Sequence, residues 1–225
     1  MAIECYFISG SPFAWRALLG LSLKRLDYKA IELHGSKGDT QTPEYLAMNP
    51  RGKVPVLKDG DVTICESLAI LAYLDRKYPD TPLFGANAEE GSLIWQRTLE
   101  IEGYLTPAFV GLVRPVLFNQ VDGNEETINE GIAKAKEELA RYDGWLEGQS
   151  FLTGDSVSAA DITLYPALAM VSRLAASLNN DKLDLSFLPL AERYTALASW
   201  MTRIEALEGF DETYPPHWRT QKAAE

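Results

Sequence analysis

Near the start of the chain, the spacing of apolar residues changes from that of a strand to that of a helix and back again. The run from Ile3 to Ile8 predicts a strand, Pro12 to Leu26 predicts a helix, and Tyr28 to Leu33 predicts a second strand. The apolar stripe of the helix consists of Trp15, Leu19, Leu23 and Leu26. Strand, helix and strand in this order predict a β-α-β unit with parallel strands and a right-handed crossover.

A hairpin is predicted next. Apolar runs from Val54 to Leu57 and from Val62 to Cys65 flank the turn Lys58-Asp59-Gly60-Asp61, which is a strong local signal for antiparallel strands. A short helix is expected around Glu44 to Met48, and a longer one from Ser67 onwards. The first part of the chain is therefore predicted to be an α/β domain with a four-stranded mixed sheet.

Residues that break regular structure mark the end of this domain. Pro79-Asp80-Thr81-Pro82 and Gly85 are typical of a linker. We expect a first domain at residues 1–79, a linker at 80–88, and a second domain at 89–225.

Helical periodicity dominates the second domain, without convincing alternating strands. Helices are predicted within Glu89 to Phe118 and from Glu125 to Leu146. A further helix is expected to start at Ser158, with Asp161 completing a pattern that resembles a capping box. Asp161 is therefore predicted to be structural and not catalytic, and the second domain to be all-α.

Composition and charge narrow the function classes. The chain has 225 residues, 46% of them hydrophobic, and a formal net charge of −11, which opposes binding to a nucleic-acid backbone. Only two histidines are present, His34 and His217, without close Cys or His spacing, so no metal site is expected.

The same sequence features favour a cytosolic protein. Cys5 and Cys65 lie in apolar surroundings and are expected to be reduced and inert. The N-terminus lacks the pattern of a signal peptide, and no apolar run approaches the length of a membrane span.

The stretch from Asn49 to Pro79 combines features suited to holding a small peptide. Val54 is restricted to extended geometry by Pro55, so its backbone N–H and C=O can pair with an extended ligand. The sequence leaves the cis or trans state of this bond open. Free N–H groups at the helix start, Glu66-Ser67, attract a carboxylate.

This stretch resembles the glutathione-binding half of the thioredoxin-like domain in cytosolic glutathione transferases, and the likeness extends over nearly the whole chain. The resemblance implies that Val54 and Pro55 pair with the cysteinyl backbone of glutathione. It implies that Glu66 and Ser67 bind the γ-glutamyl end, while Lys53 neutralises the glycyl carboxylate.

One position departs from some relatives, which contact the glycyl end through a histidine before the second helix. This chain has Thr40 and Gln41 there, and His34 comes earlier. Glycyl binding is therefore expected to rest on Lys53 together with Lys37 or Gln41.

The turn after the first strand carries the candidate chemistry. Ser11 before Pro12 fits a helix N-cap, and capping alone would explain it. Ser11-Pro12-Phe13-Ala14 resembles the Cys-Pro-Phe-Ala pattern of the omega type, and Trp15-Arg16 resembles the Trp-Arg of the zeta type. The second likeness places the catalytic serine of a serine-type enzyme, zeta-, theta/phi- or bacterial-like, on Ser11.

A serine hydroxyl is too weakly acidic to act as the base. The resemblance therefore implies that Ser11 donates a hydrogen bond to the glutathione sulfur and favours the thiolate. Ser9 is the second candidate. Arg16 could reach an anionic group, but a surface ion pair is the favoured interpretation.

The resemblance also implies a pocket for the electrophile. The expected residues are Phe13, Tyr104, Pro107, Phe109, Val113, Arg114 and Trp218. Aromatic residues at helical spacing belong more often to a core than to a pocket. Arg114 could serve an acidic substrate or extend to solvent.

These features together predict a cytosolic glutathione transferase that conjugates glutathione to hydrophobic electrophiles in detoxification. The resemblance implies a homodimer in which Glu100 or Glu102 reaches the partner's γ-glutamyl site, with no nucleic-acid or membrane partner. One alternative is a zeta-like cis-trans isomerase, favoured by Trp15-Arg16 and opposed by Pro12-Phe13. Another is a non-catalytic glutathione-fold binding protein.

Overall fold

The computed structural model describes residues 2–178 and 180–219, which form two compact units. One unit contains the described residues up to Phe84 together with those from Ala206, and the other contains Gly85–Glu205. The expected domains, 1–79 and 89–225, differ from these units at the C-terminus, because the last helices pack on the first helix of the chain.

The elements follow one another in an α/β half and an all-α half. The first half contains β1 Ile3–Phe7, α1 Pro12–Leu23, β2 Tyr28–Glu32, two 3₁₀ turns at Gly35–Lys37 and Asp39–Gln41, α2 Pro43–Met48, β3 Val56–Asp59, β4 Val62–Cys65 and α3 Ser67–Lys77. The second contains α4 Ala88–Glu100, a wide π turn at Ile101–Leu105, α5 Thr106–Leu117, α6 Glu125–Leu146, α7 Ala159–Ala176, α8 Leu190–Arg193, α9 Thr195–Glu205, α10 Phe210–Thr213 and α11 Pro216–Arg219.

The sheet has the order β2-β1-β3-β4, with β1 parallel to β2 and the other neighbours antiparallel. The predicted four-stranded mixed sheet and the helical second half are thus confirmed. In the hairpin, Asp59 pairs with Val62, and Gly60 adopts the left-handed conformation with φ +64°.

Helix α1 ends at Leu23, three residues before the predicted end. Arg25 is left-handed, with φ +53°, and its N–H donates to the Ser22 carbonyl at 2.8 Å. The Leu26 N–H donates back to Leu21 at 3.1 Å, which completes a Schellman motif. Leu26 therefore lies beyond the helix although it continues the apolar spacing.

A buried lysine holds the segment that leaves α3. The Lys24 ammonium forms an ion pair with Asp75 at 3.0 Å and donates to the carbonyls of Tyr78 and Thr81 at 2.8 and 2.9 Å. Its side chain is fully buried. The desolvation cost of the charge is offset by these partners, which fix the chain after α3.

The long helical pattern from Glu89 to Phe118 is divided by the wide turn at Ile101–Leu105. The Thr106 N–H donates to the carbonyl of Ile101, five residues back. The next residue is Pro107, which has no N–H and whose ring crowds the carbonyl of Gly103. A wide turn relieves this conflict without ending the helical direction.

Helix α7 begins with the expected capping box. The Asp161 carboxylate accepts the Ser158 N–H at 2.9 Å and the Ser158 hydroxyl at 2.8 Å. Its other oxygen accepts the Leu152 N–H at 2.9 Å and the Trp200 indole N–H at 2.8 Å. Asp161 is 0% exposed, so it links the start of α7 to α9 and to the preceding loop.

Both cysteines are free. Cys5 is buried, which raises the pKa of its thiol to about 12, and burial followed by the charge of Glu66 raises the pKa of the Cys65 thiol. Neither is a ready nucleophile, because the thiolate is the reactive form. Among the helices described here, none is long and apolar enough to cross a membrane.

Candidate functional site

Three chain segments meet at one end of the sheet. Tyr6 near the end of β1 pairs with Val56 at the start of β3, and Val56 pairs with Cys65 at the end of β4. The residues just beyond these pairs are therefore neighbours: the turn after β1, the corner before β3, and the start of α3. This end of the sheet collects Ser9, Ser11, Val54, Pro55, Glu66 and Ser67.

Ser11 is the N-cap of α1. Its hydroxyl oxygen accepts the Ala14 N–H at 3.4 Å, and its own N–H donates to the Ile8 carbonyl at 3.0 Å. Because the cap uses the oxygen only as an acceptor, the hydroxyl proton is available for a second partner. Capping and donation to a ligand are thus compatible in Ser11.

Ser9, the second candidate, has a different partner. Its hydroxyl lies 3.2 Å from Nδ1 of His217, which belongs to α11 at the other end of the chain. No motif in the sequence points to a role for His217. No local pattern could have found this pair, since its members are 208 residues apart.

The corner before β3 contains a cis peptide bond between Val54 and Pro55. The preceding carbonyl, of Lys53, accepts hydrogen bonds from the Tyr45 hydroxyl and the Asn49 side-chain amide, both at 2.7 Å. Burial is the main cause that raises the pKa of Tyr45, so it remains a donor. The backbone of Lys53 is thereby fixed while its side chain stays exposed.

Glu66 precedes α3 in a strained conformation, with φ +70°. Left-handed geometry is costly for a residue with a side chain, and it often marks a functional constraint. Glu66 itself is exposed, whereas Ser67, the first residue of α3, is buried. The two residues therefore place one exposed carboxylate and one buried hydroxyl at the helix start.

Arg16 connects the two helix starts, and its position corrects the favoured expectation of a surface ion pair. It is only 1% exposed, its guanidinium donates to the Ser67 hydroxyl at 3.5 Å, and it lies 4.8 Å from the ring centre of Phe13. The buried position follows from the α1 and α3 packing, which the sequence pattern did not reveal. A positive charge therefore lies behind the segment expected to bind the γ-glutamyl end.

The residues expected at the glycyl end occupy nearby loops. The side-chain amide of Gln41 packs against Gly52, a left-handed residue with φ +58° that directly precedes Lys53. Lys37 ends the first 3₁₀ turn and is exposed. His34 donates its backbone N–H to Asp39 at 2.8 Å.

The residues expected in the electrophile pocket differ in exposure. In the first unit, Phe13 is 37% exposed and Trp218 is buried against Trp15. In the second unit, Phe109 and Val113 are buried in the core. The remaining three, Tyr104, Pro107 and Arg114, are exposed.

Tyr104 and Pro107 share a groove of about 490 Å³ between α5 and α6, which also contains Glu130 and Lys134. A second cavity, of about 120 Å³, lies between the β1–α1 turn and Tyr214. That volume is small beside the several hundred Å³ of an ordinary ligand pocket.

Comparison with known proteins gives consistent matches. Residues 6–82 match the family model "Glutathione S-transferase, N-terminal domain", and residues 105–208 match "Glutathione S-transferase, C-terminal domain". The chain is 36% identical over 168 residues to glutathione S-transferase 4 of Zea mays, covering 72% of this chain and 74% of the relative. It is 31% identical over 197 residues to a zeta-class glutathione S-transferase of Euphorbia esula, covering 86% and 83%.

A solved structure is similar over almost the whole length. The glutathione S-transferase of the Antarctic clam Laternula elliptica matches with a TM-score of 0.82 and 28% identity, covering 97% of this chain and 94% of that one. With the family models and the plant relatives, this likeness shows that the chain belongs to the glutathione S-transferase family, as an enzyme whose cosubstrate is glutathione.

Proposed function

We propose that the chain conjugates the glutathione thiolate to hydrophobic electrophiles and that the Ser11 hydroxyl stabilises the thiolate. The observation that carries the proposal is the cap geometry of Ser11. Its oxygen accepts the Ala14 N–H at 3.4 Å, which leaves the hydroxyl proton for a ligand at the same sheet end as Val54 and Glu66.

The helix start supports the same role. The N-terminal end of α1 carries the partial positive charge of the helix dipole, and a thiolate there is favoured over a thiol. A hydrogen bond from Ser11 to the sulfur lowers the pKa of the thiol by stabilising the charged form. The thiolate then attacks the electrophile and forms the new carbon–sulfur bond, so the nucleophile belongs to the cosubstrate.

The rest of glutathione is assigned to the neighbouring segments. The Val54 backbone at the Pro55 corner pairs with the cysteinyl residue, which suits the extended geometry of that corner. Glu66 binds the γ-glutamyl amino group, and the helix start at Ser67 binds its carboxylate. Lys53 with Gln41 or Lys37 neutralises the glycyl carboxylate.

The electrophile is assigned to a set of mostly apolar side chains, with Arg114 as its charged member. The proposed residues are Phe13, Tyr104, Pro107, Phe109, Val113, Arg114 and Trp218. Exposure favours Phe13, Tyr104, Pro107 and Arg114 as contacts, while Phe109, Val113 and Trp218 would support them from the core.

A cytoplasmic homodimer active in detoxification completes the proposal. Glu100 or Glu102 would reach the partner's γ-glutamyl site. Each already has a partner within its own chain: Glu100 accepts from Arg97 at 2.9 Å, and Glu102 accepts from the Thr106 hydroxyl at 3.0 Å.

A zeta-like cis-trans isomerase is the second candidate. It is favoured by the zeta-class relative and by Trp15-Arg16. Both of these residues have structural contacts, since Trp15 packs against Trp218 and Arg16 donates to Ser67. The motif is therefore accounted for without isomerase chemistry. A non-catalytic binding protein would be retained on immobilised glutathione and turn over no electrophile.

The test is a titration of enzyme-bound glutathione by thiolate absorbance in the wild type, Ser11→Ala and Ser11→Gly. We expect a lowered thiol pKa in the wild type that returns towards the value of free glutathione in both variants. A lost charge-assisted hydrogen bond should reduce kcat by about 10- to 100-fold.

Two comparisons separate chemistry from capping. Glycine is tolerated at an N-cap at a cost of only a few tenths of a kcal/mol, so Ser11→Gly tests the hydroxyl with little loss of stability. Asn87→Gly removes an equivalent cap from α4, where Asn87 accepts the Glu90 N–H at 2.9 Å, and should leave the thiol pKa unchanged. A thiol pKa that is unshifted in the wild type, or unchanged in both Ser11 variants, would exclude the proposed role.

A further inference from the structure

The C-terminal helix α11 places a histidine against the turn that carries Ser11. Nδ1 of His217 lies 3.2 Å from the Ser9 hydroxyl. The adjacent edge of the same ring covers Gly10, since Cε1 and Nε2 each lie 3.2 Å from the point where a Gly10 side chain would begin. The imidazole thus touches both residues that precede Ser11.

His217 is held in this position because the residues next to it in the chain pack against α1. Trp218 is 7% exposed, and its ring centre lies 5.6 Å from that of Trp15. Tyr214 lies at the same distance from Trp15, and the Trp15 indole N–H donates to the Thr213 hydroxyl at 2.9 Å. These three contacts therefore hold the segment from Thr213 to Trp218 in place, and His217 with it.

The turn itself is narrow, so restraint of Ser9 extends to Ser11. The Ser11 N–H donates to the Ile8 carbonyl at 3.0 Å, which closes the turn around Ser9 and Gly10. Gly10 is left-handed, with φ +84°, and any larger residue there would be strained and would also meet His217. The direction of the Ser11 hydroxyl depends on this backbone.

We propose that His217 is a positioning residue: through its hydrogen bond to Ser9 it fixes the turn and thereby the direction in which Ser11 donates to the glutathione sulfur. The inference rests on the proposed role of Ser11. A neutral imidazole accepts at Nδ1 from the Ser9 hydroxyl, and a protonated one donates from Nδ1 to the Ser9 oxygen. The contact therefore persists in both protonation states.

The test is a double-mutant cycle in the full chain with Ser9→Ala, His217→Ala and the pair. The readouts are the pKa of the bound glutathione thiol and kcat at saturating glutathione. We expect each single variant to raise the thiol pKa and reduce kcat by about 3- to 10-fold, the range for one lost hydrogen bond, with KM for glutathione little changed. The double variant should be no worse than either single one, because all three lack the same bond.

A conservative variant and a matched control sharpen the test. His217→Asn keeps a polar atom at the position of Nδ1 and should restore most of the lost kcat. Arg219→Ala, on the same helix, removes a side chain that donates to Asp211 at 2.7 Å and should leave kcat and the thiol pKa at the wild-type values. Tryptophan fluorescence reports whether Trp218 stays packed against Trp15. If His217→Ala loosens this packing, the role of His217 is judged from Ser9→Ala and His217→Asn.

The possible results distinguish the role of His217 from the role of Ser11 on which it depends. A thiol pKa that is unshifted in the wild type would remove the role of Ser11. A shifted wild-type pKa that persists in Ser9→Ala and His217→Ala, or strictly additive losses of kcat, would overturn the role of His217 while leaving that of Ser11 intact.

Discussion

At the scale of single residues, buried charge is the most informative feature of this chain. Arg16 and Asp161 are 1% and 0% exposed, and both are close to helix starts. Burying an ion is costly unless it is paired and hydrogen-bonded, so each must have a compensating environment. For Asp161 that environment consists of four donors. For Arg16 it includes the Ser67 hydroxyl and the Phe13 ring, which gives a cation to the side of the sheet where an anionic peptide is proposed to bind.

Replacement of Asp161 by alanine should destabilise the protein by about 3–5 kcal/mol, since buried donors from Ser158, Leu152 and Trp200 would lose their acceptor. Burial raises the pKa of Asp161, while the hydrogen bonds that its carboxylate accepts oppose that rise. The measurement is the free energy of unfolding in urea. Asp155→Ala, at an exposed position in the preceding loop, should change it by less than about 0.5 kcal/mol. Equal losses in the two variants would contradict the structural role.

At the scale of elements, close approaches and ion networks decide how helices and strands join. Helices α5 and α6 cross at glycines: a side chain on Gly131 would begin 3.1 Å from the Ala108 carbonyl oxygen, and one on Gly111 would begin 3.9 Å from Gly131. In the first unit, the hairpin is joined to the end of α3 through Asp59. Neither junction follows from the period of the apolar positions.

Two glycines of α6 should respond in opposite directions to alanine. Gly131→Ala should destabilise by about 1–2 kcal/mol, because the Ala108 carbonyl is part of a packed helix and cannot move away easily. Gly144→Ala has open space around its new side chain and should stabilise by about 0.5–1 kcal/mol through helix propensity. Thermal and urea unfolding measure both effects, and a stabilising Gly131→Ala would show that the crossing is not close-packed.

Asp59 should make stability depend on acid pH. It is buried, which alone would raise its pKa, but hydrogen bonds from Lys77 at 2.6 Å and from Tyr73 and Tyr78 at 3.0 Å bring the pKa below its ordinary value. A pKa lowered by folding adds stability above about pH 4, where the carboxyl of the unfolded chain is ionised, and that stability is lost as the pH falls through the folded pKa.

Asp59→Asn should therefore be less stable than the wild type at pH 7, with the difference shrinking below about pH 4. The measurement is the free energy of unfolding in urea across that range. Asp61→Asn, in the same turn but exposed, should follow the wild type at every pH. A gap between Asp59→Asn and the wild type that stays constant with pH would contradict the proposed origin.

At the scale of the whole molecule, the chain returns to its first unit after the all-α unit is complete. Helices α10 and α11 surround Trp15, which meets the rings of Phe210, Tyr214 and Trp218. The contact between Ser9 and His217, beside the proposed thiol site, forms because the chain returns to its first unit. Residues from Phe210 to Trp218 thus contribute to the unit that begins the chain.

Thr213→Val tests the anchoring of the tail. It preserves shape but removes the acceptor of the Trp15 indole N–H, and should destabilise by about 1–2 kcal/mol. Thr202→Val is the matched control, since Thr202 is exposed on α9 and its hydroxyl donates to the Ala198 carbonyl within the same helix. Unfolding followed by tryptophan fluorescence compares them. Equal stability of the Thr213→Val variant and the wild type would mean that aromatic packing alone holds the tail.

The amino-acid sequence by itself determined the parts of this protein that depend on near neighbours in the chain. The strand and helix periods, the Asp59-Gly60 hairpin turn and the Ser158 capping box all arise from hydrogen bonds and side-chain spacing within a few residues. Family resemblance then supplied the assignment of Val54, Pro55, Glu66 and Ser67 to one ligand.

Only the tertiary structure decided what lies behind and beside the proposed thiol site. Apolar spacing continued to Leu26, but the backbone turned at Arg25, and Arg16 was buried by helix packing although its local sequence allowed a surface ion pair. Contact between His217 and Ser9 spans 208 residues and depends on the packing of Trp218 against Trp15. Periodicity records which face of an element is apolar; which distant element covers that face is settled by the shape and volume of the packed core.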